Sequence, residues 1–302
     1  MARKKSNTKL VSIIVIAAIL ILSGVVTHIF NGGDKLFADA GLKNSPASDK
    51  MYVNFIDVNQ GDCALFTCGG KNILIDCGEY AELQNVTDYL NNQNVKKLDL
   101  VIATHPHSDH IGCMGSLLKE FEVGDVIMPD VPEKIIPTTK AYEKFLEAAS
   151  ERAENVYAAE AGETYSYGEM KVQILGPVAD YDDLNNESVV AKITYGTTSV
   201  MMCGDAEKKA EWDILKKNYN FNADILKLGH HGSKTSSSYE WLEAVNPKYA
   251  IVSCGENNDY GHPHKQTITK MNKYGIEYFR TDLLGDIVFV SDGKAFTRVT
   301  EN

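Results

Sequence analysis

Apolar residues along this chain fall into two rhythms. From residue 51, compact apolar runs at 51–57, 63–67 and 72–76 are joined through Asn59-Gln-Gly-Asp62 and Gly69-Gly70, a pattern that predicts antiparallel hairpins. A polar-faced helix is predicted near 81–92, followed by a short apolar strand at 99–103, helices near 111–121 and 138–152, and a strand at 125–128 between them. The second half repeats the style. Strands are predicted at 170–175, 188–195, 199–203, 223–228 and 248–253, with helices at 206–218, 239–245 and 265–274, and closing strands near 277–280, 285–290 and 294–299. Strands first and crossover helices after, in each half, predict an α/β (α+β) fold in which two mixed sheets pack face to face with helices outside, a four-layer αββα sandwich.

The amino terminus has a different texture. Arg3, Lys4, Lys5 and Lys9 precede an uncharged apolar run over 10–26, long for the core of a cleaved signal peptide and adequate for a bilayer span. Residues 1–30 are therefore expected to form a membrane-directing helix that stays as an anchor, with the basic end inside and the body extracytoplasmic. The alternative is cleavage near Ala38-Asp39-Ala40, which would release a secreted protein. Residues 31–50, polar and without periodicity, read as a linker, and 51–302 as one domain.

Charge narrows the partners. The first thirty residues hold four of the thirty Lys and Arg and none of the forty-one Asp and Glu, which leaves the remainder at −15. Such a body repels nucleic acid and anionic lipid wherever it lacks a basic patch or a metal. No protein partner is legible. The six cysteines show no CxxC pair and sit mostly in apolar runs, as small buried residues do. One disulfide, Cys63 to Cys77, is open if 63–67 pairs with 73–77.

Seven of the eight histidines lie in three short clusters, 105/107/110, 230/231 and 262/264. Thr104-His-Pro-His-Ser-Asp-His110 sets three imidazoles and a carboxylate directly after an apolar strand, a density that core packing does not explain. These donors suit zinc first, with manganese or iron as alternatives. His105 and His107, alternate residues of an extended segment, can face one ion, while Asp109 and His110 reach a second: one or two ions per chain.

With HxHxDH matched by His105, His107, Asp109 and His110, the chain resembles the metallo-β-lactamase superfamily. The resemblance implies that Asp205 bridges the metals and that His230 is a later ligand. It narrows to the extracytoplasmic domain of ComEC-type competence proteins, through Phe55-Ile-Asp-Val-Asn-Gln-Gly-Asp62, Asn185-Asn-Glu-Ser-Val-Val190, Gly229-His-His-Gly-Ser-Lys234 and Asn258-Asp-Tyr-Gly-His-Pro263. Asn185, Asn186 and Ser188 stand where most superfamily members place a third histidine for the first metal. Neutral oxygens there would make that site weaker or suit it to manganese; the bland reading is a turn into a strand.

The resemblance also implies a catalytic set of Asp109, Asp205 and His262, with His262 facing substrate. Asp62 is expected to orient a ligand histidine or to belong to a plain hairpin turn. His231 and His264 are left open between structural and functional roles, and Lys234 reads as a solvated loop lysine. The implied activity is an extracytoplasmic phosphodiesterase or nuclease in which a metal-bound hydroxide attacks. Its substrate would be DNA or, given the acidic body, a cell-wall polymer of the teichoic-acid type. A β-lactam hydrolase and a non-catalytic metal-binding surface protein are the remaining alternatives.

Overall fold

The computed structural model describes residues 49–300, so the expected anchor and nearly all of the linker lie outside the described residues. Fifteen strands among the described residues form two sheets. The first holds β1 (Met51–Phe55), β2 (Ala64–Cys68), β3 (Lys71–Ile75), β4 (Lys97–Ile102), β5 (Glu122–Met128) and β6 (Ala153–Ala158), with β14 (Ile287–Ser291) and β15 (Phe296–Val299) added beside β1. The second runs β13 (Glu277–Arg280), β12 (Tyr249–Val252), β11 (Ile225–Lys227), β10 (Thr198–Met202), β9 (Val190–Tyr195), β8 (Met170–Gly176) and β7 (Thr164–Tyr167). Each sheet joins an antiparallel part to a parallel part. In the first, β3 pairs parallel with β4, β4 with β5 and β5 with β6; in the second, β10 through β13 are parallel.

The strands read as nearly continuous apolar runs because both of their faces are buried. On β3, Ile73 and Ile75 join Phe66 and Val200 between the sheets, while Leu74 packs outward with Val86 and Leu90 of α1 (Leu83–Asn92). On β10, Val200 and Met202 point inward, and Met201 packs outward with Ile214 of α5 (Lys208–Leu215) and Trp241 of α6 (Tyr239–Val245). Further outer helices are α4 (Lys140–Arg152), which contributes Phe145 and Ala148, and α7 (Lys265–Tyr274), which contributes Met271. The order of layers is helix, sheet, sheet, helix.

Three differences from the expected elements have physical reasons. Strands β6 and β7 were not foreseen: β6 is an edge strand with five of its six residues exposed, so it carries no buried face to imprint a period. The helix expected over 111–121 is two single turns, α2 (Ser108–Ile111) and α3 (Met114–Leu117), and the first begins early enough to carry Asp109 and His110. The conjectured Cys63–Cys77 disulfide is absent, and all six cysteines are free and buried. Ala64 pairs with Ile75, so the ladder, if extended, would set Cys63 opposite Asp76 instead; a slip of one residue turns the side chains to opposite faces.

Because Phe66 is fully buried between the sheets, Phe66→Ala is expected to lower unfolding stability by about 3–5 kcal/mol in denaturant titration.

Candidate metal centre

The chemistry gathers where strands end. Asp76 follows β3, residues 104–110 follow β4, Asp205 follows β10, residues 229–233 follow β11 and residues 253–264 follow β12. These are carboxyl ends of strands in the parallel halves of the two sheets, the edge at which α/β folds bind ligands. Cross-strand bonds tie the loops together. The Asp62 N–H donates to the Asp109 carbonyl at 3.2 Å, and the Cys77 N–H donates to the His110 carbonyl at 2.8 Å.

Two groups of ligand-type side chains meet on one carboxylate. Asp109, His110, Asp205 and His231 bring one donor atom each within 4.8 Å of one another, and so do His105, His107 and Asp205. Asp205 Oδ1 lies 3.3 Å from His110 Nε2 and 3.5 Å from His231 Nε2, and its Oδ2 lies 3.8 Å from both His105 Nε2 and His230 Nε2. His110 Nε2 and Asp205 Oδ1 are buried and lack a properly aligned hydrogen bond. Orphaned buried atoms of this kind, imidazole and carboxylate converging on one point, fit a divalent ion in the four-residue group. In the other group His105 Nε2 lies 2.9 Å from His107 Nδ1, and the fit rests on its donor set of two imidazoles and a carboxylate.

Three of the imidazoles, those of His110, His230 and His231, are aimed by a partner on the other nitrogen. Asp76, buried at the end of β3, accepts from the Thr104 N–H (2.8 Å) and hydroxyl (2.6 Å), and its Oδ2 lies 2.8 Å from His110 Nδ1. His231 Nδ1 lies 3.0 Å from the Ser253 carbonyl and 3.2 Å from Asp62 Oδ1, which in turn pairs with the fully buried Lys227 ammonium at 2.8 Å. His230 Nδ1 lies 3.1 Å from Glu207 Oε1. Such partners set the tautomer and the direction of the other nitrogen.

The resemblance implies His230 as a ligand and leaves His231 open between structural and functional roles. The structure places His231, not His230, in the four-residue group. Both histidines adopt the left-handed region, at φ 51° and 52°, an uncommon state for residues with a Cβ. Their rings diverge by 75°, so His231 is buried against Asp109 and Asp205 while His230, with 24% of its side chain exposed, faces Asp205 Oδ2 from the pocket. Gly232, at φ 81°, lets the chain turn there: a Cβ would meet Pro263 Cβ at 2.8 Å.

The neutral residues suggested as replacement ligands have other work. Asn186 bonds to Asp183 and its Oδ1 accepts from the Glu207 and Ala210 N–H groups, which holds the start of α5. Ser188 Oγ accepts from the Asp205 N–H at 3.0 Å and so fixes the shared carboxylate's backbone. Asn185 remains on the pocket, with Nδ2 3.5 Å from His230 Nδ1. His264 precedes α7 and accepts from the Lys234 N–H at 3.1 Å, bracing the loop outside the cluster. His262 lines the pocket with His107, Asp109 and His230, and its buried Nδ1 has no partner.

Electrostatics follow from the crowding. Burial opposes charge throughout, yet Asp205, Asp76 and Asp109 outweigh it and push His110 well above the usual imidazole range. Burial also opposes charge on His231, but Asp205, Asp109 and Asp62 raise it to about 9. Asp205 stays well below the carboxylate range despite burial, through His231 and His110. His262, desolvated beside His231 and His230, falls to about 4 and is neutral at pH 7.

Asp76, Glu207 and Lys227 are site residues that the sequence alone does not single out. Asp76 did leave a trace, as the carboxylate that closes the apolar run Ile73-Leu-Ile-Asp76. Glu207 and Lys227 left none.

The family model described as Metallo-beta-lactamase superfamily matches residues 56–256. ComE operon protein 3 of Bacillus subtilis (strain 168) is 32% identical over 261 residues, which cover 80% of this chain and 33% of that protein. Competence protein ComA of Neisseria gonorrhoeae is 30% identical over 276 residues, 90% of this chain and 35% of that protein. The chain thus spans about a third of the length of these relatives. In fold alone it resembles the metallo-beta-lactamase fold protein YhfI from Bacillus subtilis, at a TM-score of 0.54 and 16% identity over 81% of this chain and 100% of that one.

Since the pKa values of His110 and His231 are raised, both imidazoles hold their protons at neutral pH and must release them to bind an ion. Loading the chain with zinc at pH 7.5 is expected to release about two protons, read from the buffer dependence of calorimetric heats, and affinity is expected to weaken as pH falls. In Asp205→Ala, which removes the carboxylate common to both groups, metal uptake should be lost; unchanged uptake would refute the assignment.

Proposed function

The chain belongs to the metallo-beta-lactamase superfamily, and from that premise we propose that it is a metal-dependent phosphodiesterase that works outside the cell, held at the membrane by its amino-terminal segment. The observation that carries the reading is the Asp205 carboxylate shared between two ligand groups on the wall of a pocket of about 370 Å³. Zinc or manganese held there would lower the pKa of water toward about 7 and offset charge on a phosphodiester.

The protein's own residues supply the rest. His105, His107 and Asp205 would hold one ion, with His230 facing the same carboxylate oxygen; Asp109, His110, Asp205 and His231 would hold the other. Asp76 and the Asp62–Lys227 pair keep His110 and His231 aimed inward. His262, neutral at pH 7 and facing the pocket, carries one ring N–H that can donate to a phosphate oxygen or to the leaving group.

Support for nucleic acid as the phosphodiester comes from the names of the relatives, one of them a competence protein. The location rests on the basic-then-apolar pattern of residues 3–26. A second reading, a cell-wall phosphodiester, is favoured by the acidic body.

The zinc- or manganese-loaded chain is expected to cleave single-stranded DNA or a bis-aryl phosphodiester and to spare a chromogenic β-lactam. Asp205→Ala should abolish turnover, and Asp76→Asn should lower metal affinity or activity about 10- to 100-fold through loss of His110 alignment. Hydrolysis of the β-lactam alone would overturn the proposal.

A further inference from the structure

Among the described residues, the ring that borders the metal centre most openly is Tyr260, 65% exposed, on the loop between β12 and α7. A lone exposed aromatic elsewhere on a surface needs no explanation. Tyr260 differs in two respects. It lines the same pocket as His107, Asp109 and Asp205, and its ring lies nearly parallel to that of His262, at 19° and 5.6 Å between centroids.

The loop that carries it is pinned. Asn258 Oδ1 accepts from the His262 N–H at 2.9 Å, and Asn258 Nδ2 donates to the Gly255 and His262 carbonyls at 2.9 and 2.7 Å. The Gly261 N–H donates to the Asn258 carbonyl at 3.2 Å. An aromatic face held in this way meets a flat ligand with little ordering cost.

The pocket's other features point the same way. Among the described residues no lysine or arginine lines it, so a phosphate would be recognised by the metal cluster and the His262 ring N–H, and the contacts left for the rest of the substrate are uncharged. Pro106, Pro137 and Leu184 give the lining an apolar share, and the volume of about 370 Å³ suits one small organic group. A polyol-phosphate polymer has no flat face for Tyr260, whereas every nucleobase has one.

We propose that Tyr260 is the stacking platform for a nucleobase adjoining the phosphodiester at the metal centre, and so sets the preference for a base-bearing strand. The proposal rests on the phosphodiesterase reading, but binding and turnover test the two separately. The probes are an oligothymidylate whose phosphorothioate linkages resist cleavage, and the same backbone carrying abasic units.

The manganese-loaded full chain is expected to bind the base-bearing strand about 10-fold or more tightly than the abasic one. Tyr260→Ala should bring the two within about 2-fold, and Tyr260→Phe, which keeps the ring, should retain the preference. Equal binding of both strands by the unaltered chain, a preference that survives in Tyr260→Ala, or a glycerol-phosphate polymer that competes as well as oligothymidylate would each overturn the stacking role. A Tyr260-dependent preference without cleavage of any unmodified phosphodiester would uphold stacking and sink the hydrolysis reading. Cleavage without base preference would do the reverse.

Discussion

The buried carboxylate of Asp205 is the constraint around which the rest of this molecule is arranged. Four imidazoles, of His105, His110, His230 and His231, approach within 3.8 Å of its two oxygens. A charge so buried is costly unless it is matched, and here it is matched by the protonated imidazoles of His110 and His231, which are suited to exchange their protons for ions. The backbone of Asp205 is held in turn by Ser188, and its helical neighbour α5 by Asn186. The Asn185–Ser188 segment therefore supports the centre through its hydrogen bonds.

That arrangement depends on the sandwich. Loops from both sheets must arrive at one edge in register, and the parallel halves of the sheets provide this because their carboxyl ends all open to the same side. The interior between the sheets is apolar, so polar side chains are driven to the edge, where Asp62, Asp76 and Lys227 are buried but matched. Lys227 compensates Asp62, and Asp62 in turn faces His231. The chain of partners runs from Lys227 through Asp62 to His231.

Much of this was legible in sequence. The strand runs, the outer helices, the αββα layering and the first histidine cluster follow from local periodicity and from the density of donors over 104–110, signals that need only neighbouring residues. What escaped was carried by residues far apart. Asp76 is one carboxylate at the end of an apolar run, and only the parallel pairing of β3 with β4 sets it beside His110. Strand β6 escaped for the opposite reason, since an exposed edge imposes no pattern.

By itself, then, the sequence determined the layering of the fold and the presence of a dense set of metal-ligating donor types, because apolar period and donor type are local properties. Only the tertiary structure decided which of two adjacent histidines turns inward. His230 and His231 differ by one position and no composition separates them; their consecutive left-handed backbones, fitted between Gly229 and Gly232, send one ring to Asp109 and the other to the pocket. The same holds for Asn186 and Ser188, whose roles as supports depend on where α5 and Asp205 come to lie in space.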